Sequence, residues 1–161
     1  MSFDPQSFGT ELAPVLSGDR RRGLEGAKAQ TPDRARIAGA VKSLGSSDCA
    51  RCCAAGLWLL VDDLDASHVV SQEIHTAEGS LWHGIMHRRE GDFGNAKYWF
   101  RQAGPHPVYD ELSQRLGVEF DPYRFVDDCQ TAVRTGRDLE RCLDWQQAEW
   151  ETLFSWCWNH R

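Results

Sequence analysis

Residues that start and stop helices recur along this chain at short intervals, and that punctuation constrains the fold more than any other feature. Thr31-Pro32, Ser47, Asp63, Thr76, Asp92, His106-Pro107, Asp121-Pro122 and Asp138 stand where a side chain can take up the free amides of a first helical turn. Gly45, Gly91, Gly104, Gly117 and Gly136 stand where a helix closes, because glycine enters the left-handed region without a Cβ penalty. Between the last pair of signals, Leu139, Leu143, Trp150, Leu153 and Cys157 repeat mostly in steps of three, four and seven. No comparable window alternates with period two. The expected fold is therefore all-α: stacked antiparallel helical hairpins in a single domain over residues 31–161, packed around Trp58, Leu60, Trp82, Ile85 and Phe100. Residues 1–30 are expected to form a flexible or peripheral arm, since the run Ser17-Gly18-Asp19-Arg20-Arg21-Arg22-Gly23 offers no apolar face.

A chain of 161 residues with 41% hydrophobic content can bury one core. Its longest apolar run, Cys52 to Val61, is half of the ~20 residues needed to cross a bilayer. Met1-Ser2-Phe3-Asp4-Pro5 lacks the basic and apolar regions of a secretory signal, so a cytoplasmic protein without a membrane partner is expected. Cys49-x-x-Cys52 has no second half at ligand spacing, and the six cysteines read as small buried hydrophobes. A net charge of −6 argues against a nucleic-acid partner, because such binding draws on a broad basic face.

Gly84, Gly91, Asp92, Phe93, Ala96, Phe100 and Ala103 fall where a tetratricopeptide repeat places its small and aromatic contacts, and this stretch resembles one such helix pair. The wording WHGIMHRREGDFGNAKYWFRQAGPHP, from Trp82 to Pro107, also resembles the signature of a protein family with no known activity. That resemblance covers about a quarter of the chain and implies no cofactor or catalytic residue. The chemistry has to be read from the side chains.

Five of the six histidines, His68, His75, His83, His87 and His106, lie in or beside this stretch. On a helix advancing about 100° per residue, His83, His87 and Glu90 fall within roughly 60° of one another. Two histidines one turn apart can share a divalent transition metal, with Glu90 as a third ligand or Glu90 or Asp92 as a base. A metal-dependent hydrolase is one expectation; the Glu that follows the first histidine of a zinc-protease helix is missing. A second expectation is a pocket for a small polar or anionic molecule, lined by His68, Arg88, Arg89, Asp92, Asn95, Lys97, Tyr98, Trp99, Arg101 and His106. Arginine forks suit carboxylate or phosphate, and Tyr98 and Trp99 could wall an organic ligand. A third is a helical interaction module in which the polar cluster is structural, with Glu90 and Asp92 satisfying the histidines. Asp62-Asp63-Leu64-Asp65 lacks the glycine and distal glutamate of a calcium loop, and no glycine-rich phosphate loop appears.

Overall fold

The computed structural model describes residues 3–27 and 31–161, and no strand occurs among them. A 3-10 turn at Pro5–Phe8 leads into α1 (Gly9–Leu16), followed by α2 (Thr31–Lys42), α3 (Asp48–Leu60) and α4 (Leu64–Ser71). Then come α5 (Ala77–Glu90), α6 (Phe93–Ala103), α7 (Pro107–Leu116), α8 (Pro122–Thr135) and the long α9 (Leu139–Asn159). No helix among the described residues is long and apolar enough to cross a membrane.

Six of the expected caps sit where the sequence places them, at Ser47, Asp63, Thr76, Asp92, His106 and Asp121, whereas Thr31 is itself the first residue of α2. Ser47, Asp63, Thr76 and Asp92 each accept the backbone N–H three residues on, and Asp121 accepts from both Tyr123 and Arg124. Asp138 differs: it takes a left-handed conformation (φ 56°) and makes no side-chain cap, so α9 starts on backbone geometry alone. Helix α4 is shorter than its sequence suggests. It closes at Ser71 rather than near His75, where Glu73 and Ile74 turn to carbonyls only three residues back, those of Val70 and Ser71.

Helix α5 is the centre of the molecule, packed against α3, α4 and α6, while α9 lies across α3, α7 and α8. Trp58, Leu60, Trp82, Ile85 and Phe100 are all buried, as expected. Hairpin α5–α6 closes on Gly84. A Cβ there would lie 3.1 Å from the Phe100 ring, tighter than ordinary contact, so the absent side chain is what lets the two helices approach. On the other side of α5, Trp82 lies edge-on to Trp150 with centroids 6.2 Å apart, and Trp150 stacks on Phe154 at 4.8 Å. The Trp150 indole N–H donates to the Gly56 carbonyl at 2.8 Å. Five cysteines are buried and Cys49 is half-buried; all six are free thiols.

The N-terminal segment corrects the expectation of an arm. Within residues 3–27, Phe8, Leu12, Leu16 and Leu24 belong to the main core, and Leu16 is wholly inaccessible. Phe8 packs on Phe154 and Trp158, at 5.3 and 5.5 Å between centroids. The arginine run that looked like solvated linker is an anchor: Arg20 donates to Glu151, Arg22 to the Leu60 carbonyl, and Gln146 caps the carbonyls of Arg22 and Gly23. Guanidinium groups can close a loop onto polar groups of a core without any apolar periodicity in the loop. Residues 28–30 lie outside the described residues.

Leu16→Ala tests this docking. Removing a fully buried leucine should destabilise the protein by about 2–5 kcal/mol in a urea titration. A change below about 0.5 kcal/mol, the range of surface substitutions, would return the segment to the periphery.

Candidate metal centre

The C-terminal half of α5 carries His83 and His87 one turn apart, both buried. The α3–α4 hairpin delivers His68 to the same place. Ring centroids of His68 lie 4.8 Å from His83 and 5.5 Å from His87, and His83 and His87 are 4.8 Å apart. One nitrogen from each ring can be chosen so that all three lie within 4.8 Å of one another. Helix α6 closes the other side, where Trp99 stacks on His83 at 4.1 Å and 25°.

The hydrogen bonds assign the free nitrogens. Glu90 Oε2 lies 3.0 Å from His87 Nδ1. A carboxylate only accepts, so Nδ1 carries the proton and Nε2 keeps its lone pair. Ser71 Oγ lies 3.4 Å from His83 Nδ1 and 3.4 Å from the His68 carbonyl, so Nδ1 is the His83 ring nitrogen with a hydroxyl partner. A ring nitrogen tied to a carboxylate or hydroxyl with the other left free is the usual arrangement of a metal-binding histidine.

Electrostatics favour the neutral rings. Burial pushes the His83 imidazole down to about 4, with His87 and His68 adding to the shift. Burial also lowers His87, opposed by the hydrogen bond and charge of Glu90. Near neutral pH both rings keep the lone pair that a metal needs.

Glu90, expected as a ligand, faces Nδ1 of His87, and the third imidazole comes instead from His68. The Asn95 amide nitrogen lies 3.1 Å from His87 Nε2 and 3.4 Å from Nδ1, so it sits across the ring rather than in line with one nitrogen. Tyr98 is exposed and stands edge-on to Trp99 at 5.4 Å.

The basic residues do not gather here. Arg88 points into the core, where it makes a two-pronged ion pair with Glu149 at 3.1 and 2.5 Å and lies over the Phe125 ring. Arg89 is equally buried, bound to the Leu59 carbonyl at 2.7 Å and to Asp62. Lys97 reaches Asp127 on α8 at 2.6 Å, and Arg101 is exposed. Asp92 caps α6. His106 caps α7 and contacts Glu78 at 3.3 Å, near the opposite end of α5. The expected lining from His68 to His106 is thus split. His68, Asn95 and Trp99 touch the α5 histidines and Tyr98 stands against Trp99, while Arg88, Arg89, Lys97 and His106 serve other contacts and Arg101 is exposed. The reason is helical phase: Arg88 and Arg89 follow His87 by 100° and 200°, which turns them toward α9 and α3.

Ser71 was not among the sequence candidates. Its signal was present, one turn after His68 on the same face, but a serine at that spacing has many uses. A cleft of about 620 Å³ between the N-terminal turn, α7 and α9, lined by Phe3, Phe8, Arg115 and Trp156, shares no residue with the histidine cluster.

Two outcomes follow from these contacts. Arg88→Ala leaves Glu149 buried and unpaired and should cost about 3–5 kcal/mol, whereas Lys97→Ala, which breaks an exposed pair, should cost under about 1 kcal/mol. Equal costs in denaturant melts would contradict the division between core and surface. Separately, His83 has a folded pKa below its unfolded value, so its contribution is complete above about pH 6.5. It is lost as the pH falls toward about 4, where the unfolded chain binds the proton first. His83→Asn should flatten the stability curve in that window; an unchanged slope would show that His83 protonates freely in the folded protein.

Comparison with protein-family models, with curated proteins and with solved structures gives no match, and the site has to be read from its own geometry.

Proposed function

We propose that this protein is a metal-dependent hydrolase whose divalent transition ion is held by His68, His83 and His87. The observation that carries the reading is the convergence of three imidazole nitrogens within 4.8 Å, with Nδ1 of His83 and His87 already tied off. Zinc–nitrogen bonds of about 2.0–2.1 Å in a tetrahedral site place ligand atoms roughly 3.3 Å apart, so the rings close modestly around the ion. Three neutral nitrogen donors select zinc, cobalt, nickel or copper over magnesium and calcium, which take oxygen ligands. With three protein ligands, a fourth position remains for water or substrate, the arrangement that activates water near neutral pH.

Glu90 orients His87 in this reading and raises its basicity as a ligand. The seam of Gly84, Ala96 and Phe100 supports a tetratricopeptide-like hairpin for α5 and α6, here holding imidazoles where such a hairpin usually packs apolar groups.

Chelator-stripped protein titrated with zinc or cobalt should take up one ion per chain, with the visible absorption of tetrahedral cobalt. His68→Ala, His83→Ala and His87→Ala should each abolish stoichiometric uptake, and Glu90→Gln should weaken it by about 10–100-fold. A folded wild-type protein that takes up no ion in excess zinc or cobalt would end the proposal.

A further inference from the structure

The surroundings of the three histidines narrow what the site can act on. Phosphate and other anions are commonly held by arginine or lysine clamps aimed at the developing charge. Here the nearest cations in sequence are committed elsewhere: Arg88 to Glu149, Arg89 to Asp62 and Lys97 to Asp127. On α6, Asn95 and Trp99 share one face, toward α5, whereas Lys97 lies about half a turn away, bonded to Asp127 on α8, and Arg101, about half a turn past Trp99, starts from the opposite side of the helix. The charge that does border the site is negative, since Glu90 is bonded to His87.

What the site offers instead is a hydrogen-bond donor and a flat wall. The Asn95 amide lies 3.1 Å from His87 Nε2, the nitrogen left free for an ion, so its N–H groups border the position a reacting oxygen would take. Trp99 is half-exposed, with one neighbour stacked on it and Tyr98 standing edge-on beside it. An aromatic corner of this kind takes a planar group at little entropic cost.

Resting on the metal-centre reading above, we propose that the substrates are uncharged acyl compounds, esters bearing a flat aromatic group, with Asn95 donating to the carbonyl oxygen and Trp99 and Tyr98 receiving the planar portion. The reaction is hydrolysis. Water adds to the carbonyl carbon, the bond to the leaving alcohol breaks, one water proton leaves with the alcohol and the other is released as the acid ionises. No oxidant or reductant is consumed.

The test uses the full-length protein loaded with zinc and two substrates sharing one chromophore, p-nitrophenyl acetate and bis(p-nitrophenyl) phosphate. The ester should be hydrolysed above the rate of zinc-free protein and of His83→Ala, and the phosphate diester should not. Asn95→Ala should keep one zinc per chain and lower kcat/KM for the ester by about 10-fold or more, as loss of an oxyanion donor does. Asn95→Asp, which replaces the donor with an acceptor of the same shape, should do the same. Faster cleavage of the phosphate diester would overturn the substrate assignment. So would stoichiometric zinc without ester turnover, or full activity in both Asn95 variants with zinc retained; each of these leaves the metal centre standing. Failure to bind zinc at all would remove the metal centre and this inference together.

Discussion

Helix α5 is buried from Gly79 to Arg89, so His83, His87, Arg88 and Arg89 have to find their partners within the protein. Burying a polar group without a partner costs about 1–3 kcal/mol, and a charged one more. That requirement organises the neighbours. Arg88 draws Glu149 from α9 into the core, and Arg89 holds the α3 carbonyl of Leu59 together with Asp62. His83 is met by Ser71 and Trp99, His87 by Glu90 and Asn95. Helices α3, α4, α6 and α9 are thus fixed around α5 by specific polar contacts as well as by apolar packing.

The two sets of partners differ in kind. The arginines are matched to full negative charge, and such pairs lose most of their value if either member is removed. The histidines are matched to a hydroxyl, an amide, an aromatic face and one half-exposed carboxylate. Those contacts orient the rings while leaving a nitrogen on each α5 histidine without an in-line donor. A cluster that served only to fill the seam between α4, α5 and α6 would gain more from apolar side chains of the same volume. The division by phase along a single helix, arginines toward α9 and α3 and histidines toward α4 and α6, lets scaffold and site occupy adjacent residues without interfering.

The N-terminal segment completes the enclosure from the far side. Arg20 binds Glu151 on α9, and the same carboxylate is held by Arg115 from α7, so one buried acid joins three parts of the chain. Leu12 and Leu16 are buried in the same hydrophobic core as the helical hairpins, so the segment is joined to the rest of the molecule by apolar burial as well as by charge.

Much of the fold is written in local signals. Ser47, Asp63, Thr76, Asp92 and Asp121 cap the helices they were expected to cap, because a cap depends only on residues within one turn of it. The pairing of His83 with His87 is equally local, a matter of 3.6 residues per turn. The sequence could not show that His68 joins them, that Glu90 turns to a ring nitrogen, or that four arginines and lysines close to one another in the chain face different ways. Helix α5 displays no polar stripe because it has no solvent face, so periodicity, which reports a boundary between core and water, has nothing to register there. Nor could the glycine- and arginine-rich segment announce its docking, since its anchors are guanidinium groups whose partners lie far along the chain, Glu151 and Glu140 on α9 for Arg20 and Arg21 and the Leu60 carbonyl on α3 for Arg22. Local geometry determined the helices and their ends; long-range burial, which makes each polar group seek a partner wherever one is to be found, decided which of them became scaffold and which became a site.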